Sequence, residues 1–200
     1  MTIDEMIKAR YIDIVQIQVG SYTGNSTDNR AITGVGFAPS LILIKGDTNQ
    51  RACFKTSSMG GDTTLNLGSG SNFTDGIQSL DSDGFTLGVD ARVNSSSITY
   101  YWVAFRTAST NMNVGTYTGN GVDDRTIRGV GFQPILVVDN ADSPLNGNFS
   151  ENRDASDTSH VWTNSGDEAN KIQSFNSDGF VIGTAANDSG TNYYWSAFAS

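Results

Sequence analysis

The chain has 200 residues, of which 37% are hydrophobic and 10% aromatic, so it contains enough apolar side chains to build a core. Its formal net charge of −9 argues against nucleic acid as a partner, because an acidic surface repels phosphate backbones. A single cysteine, Cys53, excludes a disulfide within the chain, and the lack of any apolar run of roughly 20 residues argues against membrane insertion.

The first fifteen residues have no counterpart later in the chain. Thr2 followed by Glu5 forms a capping box, which predicts a short amphipathic helix at about 3–10. Apolar side chains recur there at helical spacing, at Ile3, Met6, Ile7, Tyr11 and Ile14. Two roles remain open for residues 1–15: closing the open end of the sandwich, or serving as an arm that forms an oligomer or anchors the chain to a larger particle, with the first four of these side chains as the anchoring candidates. The early acidic residues do not fit a secretory signal, so we expect synthesis in the cytoplasm and, if the protein is found outside, release without a Sec-type signal.

From residue 16 onward the sequence is an internal repeat. The stretch 19–25 reads VGSYTGN, and 114–120 reads VGTYTGN, 95 residues later. At the same spacing, 77–88 (IQSLDSDGFTLG) recurs as 172–183 (IQSFNSDGFVIG), whereas 99–105 (TYYWVAF) recurs 93 residues later as 192–198 (NYYWSAF). The second copy has therefore lost two residues in the preceding turn. This pattern predicts two domains, 16–107 and 111–200.

Each copy has the pattern of short antiparallel strands separated by turns. The apolar runs 41–44 and 136–138, bounded by polar turn residues, are typical of strands buried on both faces. The Asp-Gly pairs at 83–84 and 178–179 predict hairpins with primed turns. The closing strand at 100–105 alternates, which predicts that Trp102 and its counterpart Trp195 face the core. The fold class that follows is all-β, with two tandem antiparallel β-sandwich domains after a short N-terminal helix.

Two repeated polar clusters are candidates for glycan binding. They contain Asp28 with Arg30 in the first copy and Asp123 with Arg125 in the second. A carboxylate beside a guanidinium can hydrogen-bond to sugar hydroxyls, but it can equally form a structural ion pair that braces a strand end. The structural alternative is favoured, because a feature found in both copies is explained by the shared fold.

A third candidate lies in the variable middle of the second copy, where the only histidine, His160, stands two residues before Trp162. An exposed Trp can stack on a sugar ring. The alternative is an ordinary strand with His and Trp on one face.

The sequence contains no pattern typical of catalysis. One histidine does not provide a His-rich metal site, and the Asp-rich turn at 81–84 lacks the remaining ligands of a calcium loop. The glycines at 34–36 and 129–131 lead into strands and not into helices, unlike a phosphate-binding loop. We therefore expect no catalytic residues, no cofactor and no metal.

The repeated motifs GSYTGN, IQSLDSDGFTLG and YYWVAF resemble a repeat found in phage tail and fibre proteins, and their order is similar to the β-sandwich of H-type lectins. The resemblance implies a non-enzymatic structural component of a phage or phage-like virion, as part of a tail, a fibre or a capsid-surface decoration. It also implies contact with other virion proteins and a homo-oligomer, commonly a trimer. The alternative that it implies is a lectin-like receptor-binding module for cell-surface glycan.

Overall fold

The structure, a computed structural model, describes residues 15–107, 110–145, 147–151, 157–163 and 165–200. In these ranges the regular structure is almost entirely β, and all paired strands are antiparallel, which confirms the all-β fold class. The predicted N-terminal helix, with its anchoring candidates Ile3, Met6, Ile7 and Tyr11, lies outside the described residues.

Residues 16–107, called the first half below, form two sheets. The large sheet has the strand order β1-β8-β3-β4-β5, and the small sheet has the order β2-β7-β6. The elements are β1 (Gln16–Thr23), β2 (Arg30–Thr33), β3 (Leu41–Gly46), β4 (Cys53–Thr56), β5 (Leu65–Asn66), β6 (Ile77–Asp81), β7 (Gly84–Leu87), helix α1 (Ala91–Asn94) and β8 (Thr99–Arg106).

Residues 110–200, the second half, repeat this arrangement. Their large sheet has the order β14-β13-β12-β11-β17-β9, and their small sheet has the order β10-β16-β15. The elements are β9 (Met112–Thr118), β10 (Arg125–Arg128), β11 (Leu136–Ala141), β12 (Asn148–Glu151), β13 (Thr158–Val161), β14 (Glu168–Ala169), β15 (Ile172–Asn176), β16 (Gly179–Ile182), a 3-10 helix (Thr184–Ala186) and β17 (Asn192–Phe198).

The core of each half lies between its large and its small sheet. Trp102 on the closing strand β8 is buried and contacts Phe85 of the small sheet edge-on, with ring centroids 5.7 Å apart. Trp195 and Phe180 make the same contact at 5.9 Å in the second half. These contacts confirm the predicted core position of both tryptophans, and burial of each aromatic ring contributes about 1.5–3 kcal/mol.

A glycine in each first strand makes room for this tryptophan. A Cβ atom on Gly20 would lie 2.4 Å from Cζ2 of Trp102, and one on Gly115 would lie 2.3 Å from Cζ2 of Trp195. Because no side chain fits that distance, the close approach of backbone and indole requires glycine at both positions.

Both predicted hairpins are present, but their turns differ from the prediction. Asp81 of β6 and Gly84 of β7 form the last pair of this hairpin, so Ser82 and Asp83 are its two loop residues. A primed turn requires a positive φ at the first loop residue, but both loop residues have negative φ, so the turn is not of the primed type. The Asp83 carboxylate instead accepts hydrogen bonds from the backbone N–H groups of Gly34 (3.1 Å) and Gly36 (2.6 Å). The Asp side chain therefore fixes the hairpin to the loop before β3.

The second half makes the same connection with Asp178, whose carboxylate accepts from Gly129 and Gly131. These two backbone N–H donors lower the pKa of Asp178 below its usual value.

The large sheets of the two halves pack against each other through their outer faces. A buried cluster joins Leu41, Phe54 and Leu65 of the first half to Met112 of the second. The run 41–44 is buried on both faces, as predicted, because Ile42 and Ile44 lie in the core of the first half while Leu41 lies in this cluster. The two halves are therefore joined by an apolar contact between sheets.

Candidate functional site

The candidate Arg30 is held by uncharged partners. Its Nη1 donates to the carbonyl oxygen of Thr23 (2.7 Å) and to Oδ1 of Asn94 (3.1 Å), and its guanidinium lies 5.1 Å from the ring centroid of Tyr22. Within the described parts of the chain, Arg30 and Asp28 form no ion pair. The strand-bracing role thus operates through a carbonyl and an amide, which corrects the ion-pair alternative.

Arg125 repeats this geometry in the second half. Its Nη1 donates to Thr118 O (2.6 Å) and to Oδ1 of Asn187 (3.0 Å). The aspartates of the two predicted clusters bind glutamines and not the arginines. Asp28 accepts a hydrogen bond from Nε2 of Gln78 (2.9 Å), and Asp123 accepts one from Nε2 of the equivalent Gln173 (3.4 Å). Both carboxylates are exposed.

The amides that hold these arginines were missed by the sequence analysis. Asn94 is fully buried, and its side chain accepts from Asn25 N and from Arg30 while donating to the carbonyl oxygens of Thr27 and Gly88. Asn187 occupies the same position in the second half, 93 residues later. In the sequence, the recurrence of this asparagine in both copies could have indicated its structural role.

The change of spacing from 95 to 93 residues lies just before these amides. Gly88 and Gly183 are still 95 residues apart, whereas Asn94 and Asn187 are not. In between, the first half forms α1 and the second forms the shorter 3-10 helix. The two missing residues therefore shorten a helical turn and leave the amide in place.

The aromatic candidates form a row on the outer face of the second large sheet. The ring of Phe149 on β12 lies 5.0 Å from His160 and 4.5 Å from Trp162, measured between centroids. His160 is on β13, and its Nδ1 lies 2.8 Å from Oδ1 of Asp167. Trp162, directly after β13, keeps 40% of its surface exposed.

Backbone hydrogen bonds from both halves position Trp162. Its N–H donates to the carbonyl oxygen of Gly147 (3.1 Å), and the N–H of Gly147 donates to Gly68 O of the first half (3.0 Å). A Cβ atom on Gly68, whose φ is +114°, would lie 3.1 Å from Trp162 O. The indole is therefore held at the junction of the two halves by a close backbone contact.

At this junction a cleft of about 310 Å³ opens in front of Trp162, and Arg51 forms part of its wall together with Ser69 and Thr163. Arg51 is exposed, and its Nη1 donates to the carbonyl oxygen of Ser69 (2.6 Å). An aromatic ring, a guanidinium and two hydroxyl side chains are the groups that hydrogen-bond and stack against a sugar. Nothing in the local sequence pattern marked Arg51, because tertiary structure alone brings it to Trp162.

A second surface lies at the edge of the first large sheet. Strand β1 pairs with β8 on one side and has no strand on its other side among the described residues. Two of its apolar side chains, Ile17 and Val19, are 57% and 67% exposed. Their counterparts in the second half differ, because Met112 is fully buried and Val114 packs against the cluster between the halves.

A carboxylate, Asp139, is fully buried in the core of the second half, where the first half has Ile44. The apolar run 136–138 predicts that Asp139 lies in the following turn, but β11 continues to Ala141. The Oη atom of Tyr117 lies 2.8 Å both from Oδ2 of Asp139 and from the carbonyl oxygen of Ala186. Burial raises the pKa of Asp139 to about 7, although the Tyr117 hydrogen bond and Lys171 oppose this shift.

Within the described ranges, no group of three or more His, Cys, Asp or Glu side chains is placed to hold a metal ion. In the same residues, no helix is long and apolar enough to cross a lipid bilayer.

Comparison with known proteins gives one match. Residues 16–114, just under half of the chain, match the family model of a domain of unknown function, DUF7483. No curated protein and no solved structure matches the chain. The chain is thus similar to this family from β1 through the beginning of β9.

Proposed function

We propose that this chain is a non-enzymatic structural component of a phage or phage-like virion, in a tail, a fibre or a capsid-surface decoration. In this proposal it consists of two tandem antiparallel β-sandwich domains, 16–107 and 111–200. The repeated motifs that resemble phage tail and fibre proteins support it, as does the pairing of one large and one small sheet in each half.

The observation that carries the assembly role is the edge strand β1, which no other strand of the described residues covers on its outer side. Monomeric proteins blunt such edges with charges, prolines or bulges, and β1 has none of these in its eight residues. It also exposes the side chains of Ile17 and Val19 beside a backbone edge that pairs with no strand in the described ranges. We propose that this surface contacts other virion proteins or further copies of the chain, with the trimer implied by the resemblance as the expected homo-oligomer.

Sedimentation velocity of the full chain tests the assembly role. We expect particles larger than one 21.3 kDa chain at micromolar concentration, and we expect the substitution Val19→Asp to shift them toward monomer, because it places a charge in an apolar interface. Val122→Asp is the matched control, since Val122 is similarly exposed (56%) in a loop of the second half. A wild-type chain that stays monomeric would refute self-association.

A second candidate function, a lectin-like module for cell-surface glycan, is favoured by one observation: the exposed Trp162 faces a cleft that also contains Arg51. Sugar-binding sites combine a flat aromatic ring, which covers the apolar face of the sugar, with polar groups that reach its hydroxyls.

A glycan array probed with the labelled protein tests this candidate. We expect saturable binding to a subset of glycans and about a tenfold loss in Trp162→Ala, because the variant loses the burial of the indole as well as a ring contact worth about 0.5–1.5 kcal/mol. Trp162→Phe keeps an aromatic ring and should retain most of the binding. Equal binding by Trp162→Ala and wild type would place any glycan site elsewhere.

A further inference from the structure

We propose that the Trp162 cleft is one end of a longer groove that reaches Tyr101 and binds an acidic oligosaccharide, one that carries carboxylate or sulfate groups. This inference rests on the second candidate function above and names its ligand class. It is carried by the shared wall of two cavities, by two exposed aromatic rings and by two basic side chains that form no ion pair with any described carboxylate.

The continuity comes from a shared wall. A shallow apolar cavity of about 600 Å³ lies on the outer face of the first large sheet, where Val19 on β1, Tyr101 on β8 and Lys45 on β3 line it, so it adjoins the exposed edge described above. Ala52 lines both this cavity and the cleft of Arg51 and Trp162. The two openings therefore share a wall at Ala52, and we infer that together they form one surface groove.

The groove has an exposed aromatic ring toward each end. Tyr101 is 58% exposed and Trp162 is 40% exposed, whereas the neighbouring Trp102 points into the core. Exposed aromatic rings are costly to hydrate, and rings spaced along a groove suit the repeating apolar faces of an oligosaccharide. The counterpart of Tyr101 in the second half, Tyr194, packs in the cluster between the halves and offers no such ring.

The charge of the groove opposes that of the chain. Although the net charge is −9, the titratable side chains that line the two cavities are the bases Lys45 and Arg51 and the phenol of Tyr101. Nζ of Lys45 donates to the carbonyl oxygens of Gly46 and Thr48, and Arg51 donates to that of Ser69. Among the described residues, neither base pairs with a carboxylate. Their charges are thus available to an anionic ligand.

Calorimetric titration of the full chain tests the ligand class with three probes: tetragalacturonate, a sulfated heparin tetrasaccharide and uncharged maltotetraose. We expect at least one acidic probe to bind at least about tenfold more tightly than maltotetraose, since a hydrogen bond between two charged groups is roughly twice as strong as one between neutral groups. A response to tetragalacturonate alone would identify carboxylate as the recognised group, and a response to the heparin fragment alone would identify sulfate.

Two arginine variants separate groove binding from general charge effects. Arg51→Gln should weaken binding of the acidic probe at least about tenfold without affecting maltotetraose. Arg106→Gln removes the same charge from β8, where Arg106 donates to Gln16 outside the groove, and should leave binding unchanged. Unchanged binding in Arg51→Gln, or acidic binding that persists in Trp162→Ala, would overturn the inference.

The outcomes also separate this inference from the function on which it rests. If maltotetraose binds as tightly as the acidic probes and requires Trp162, the lectin-like function stands and the acidic ligand is wrong. If neither acidic probe binds, the inference fails, and if the glycan array is also blank, the lectin-like function fails with it.

Discussion

Replacing Asp139 with asparagine should stabilise the second half at pH 8 by on the order of 4 kcal/mol while changing little at pH 4. One hydroxyl hydrogen on Tyr117 cannot satisfy both Asp139 and the Ala186 carbonyl. Both contacts are satisfied when the side chain at 139 is itself a donor, either as a protonated acid or as an amide. Asparagine supplies that donor at every pH.

The direction of the pH dependence follows from the raised pKa. Asp139 has a pKa of about 7 in the folded chain and an ordinary value of 3.8, so the folded state binds the proton more tightly. The resulting stabilisation is fully present below about pH 4 and is lost as the pH rises through about 7. Each unit of pKa difference corresponds to about 1.4 kcal/mol, which gives the expected size.

Urea unfolding of the wild type and Asp139→Asn at several pH values between 4 and 8 measures this effect. Asp124→Asn removes an equal charge at an exposed loop position and should change the unfolding free energy by no more than about 0.5 kcal/mol. A variant whose stability falls between pH 4 and 8 as steeply as that of the wild type would show that Asp139 does not titrate as described.

Replacing Asn94 with alanine should lower the unfolding free energy of the first half by about 3 kcal/mol or more. The buried amide makes four hydrogen bonds, and its removal leaves the carbonyl oxygens of Thr27 and Gly88 and the guanidinium of Arg30 with one partner fewer. The backbone bond from Ser26 N to Asn94 O remains, but the side-chain contacts that hold Arg30 to α1 are lost.

Chemical denaturation followed by tryptophan fluorescence measures this loss. Asn25→Ala is the matched control, because Asn25 is an exposed amide of the same loop and its side chain accepts only from Thr27 N. We expect that control to cost less than about 1 kcal/mol. A loss in Asn94→Ala no larger than in Asn25→Ala would contradict the role of the buried amide.

The features that could be predicted from the sequence depend on contacts between residues close along the chain. The alternation of the closing strand indicates that Trp102 faces the core, and the Asp-Gly pairs indicate hairpins, because both rest on local backbone geometry. The prediction of a primed turn was wrong. In the structure the Asp83 carboxylate binds the backbone N–H groups of Gly34 and Gly36, which lie nearly fifty residues away in the sequence. No local pattern encodes such a contact.

The candidate site was only partly predictable for the same reason. Trp162 stood out because it lies where the two copies differ, yet Arg51 comes from the other half and reaches it only through the packing of the large sheets. Asp139 was assigned to a turn because a charged residue after an apolar run usually ends a strand. In the fold, Asp139 is instead buried, with a hydrogen bond from Tyr117 and the charge of Lys171 nearby, and both residues lie over twenty positions away in the sequence.

The first and last strands of the first half are hydrogen-bonded neighbours, so that Gln16 stands directly across from Arg106. Met112 and Phe198 stand in the same relation in the second half. Opposite residues in an antiparallel pair are only about 5 Å apart, so the entry and exit of each half lie side by side. Such a unit can be copied end to end by gene duplication, because a few intervening residues suffice to begin the next copy without disturbing either sheet.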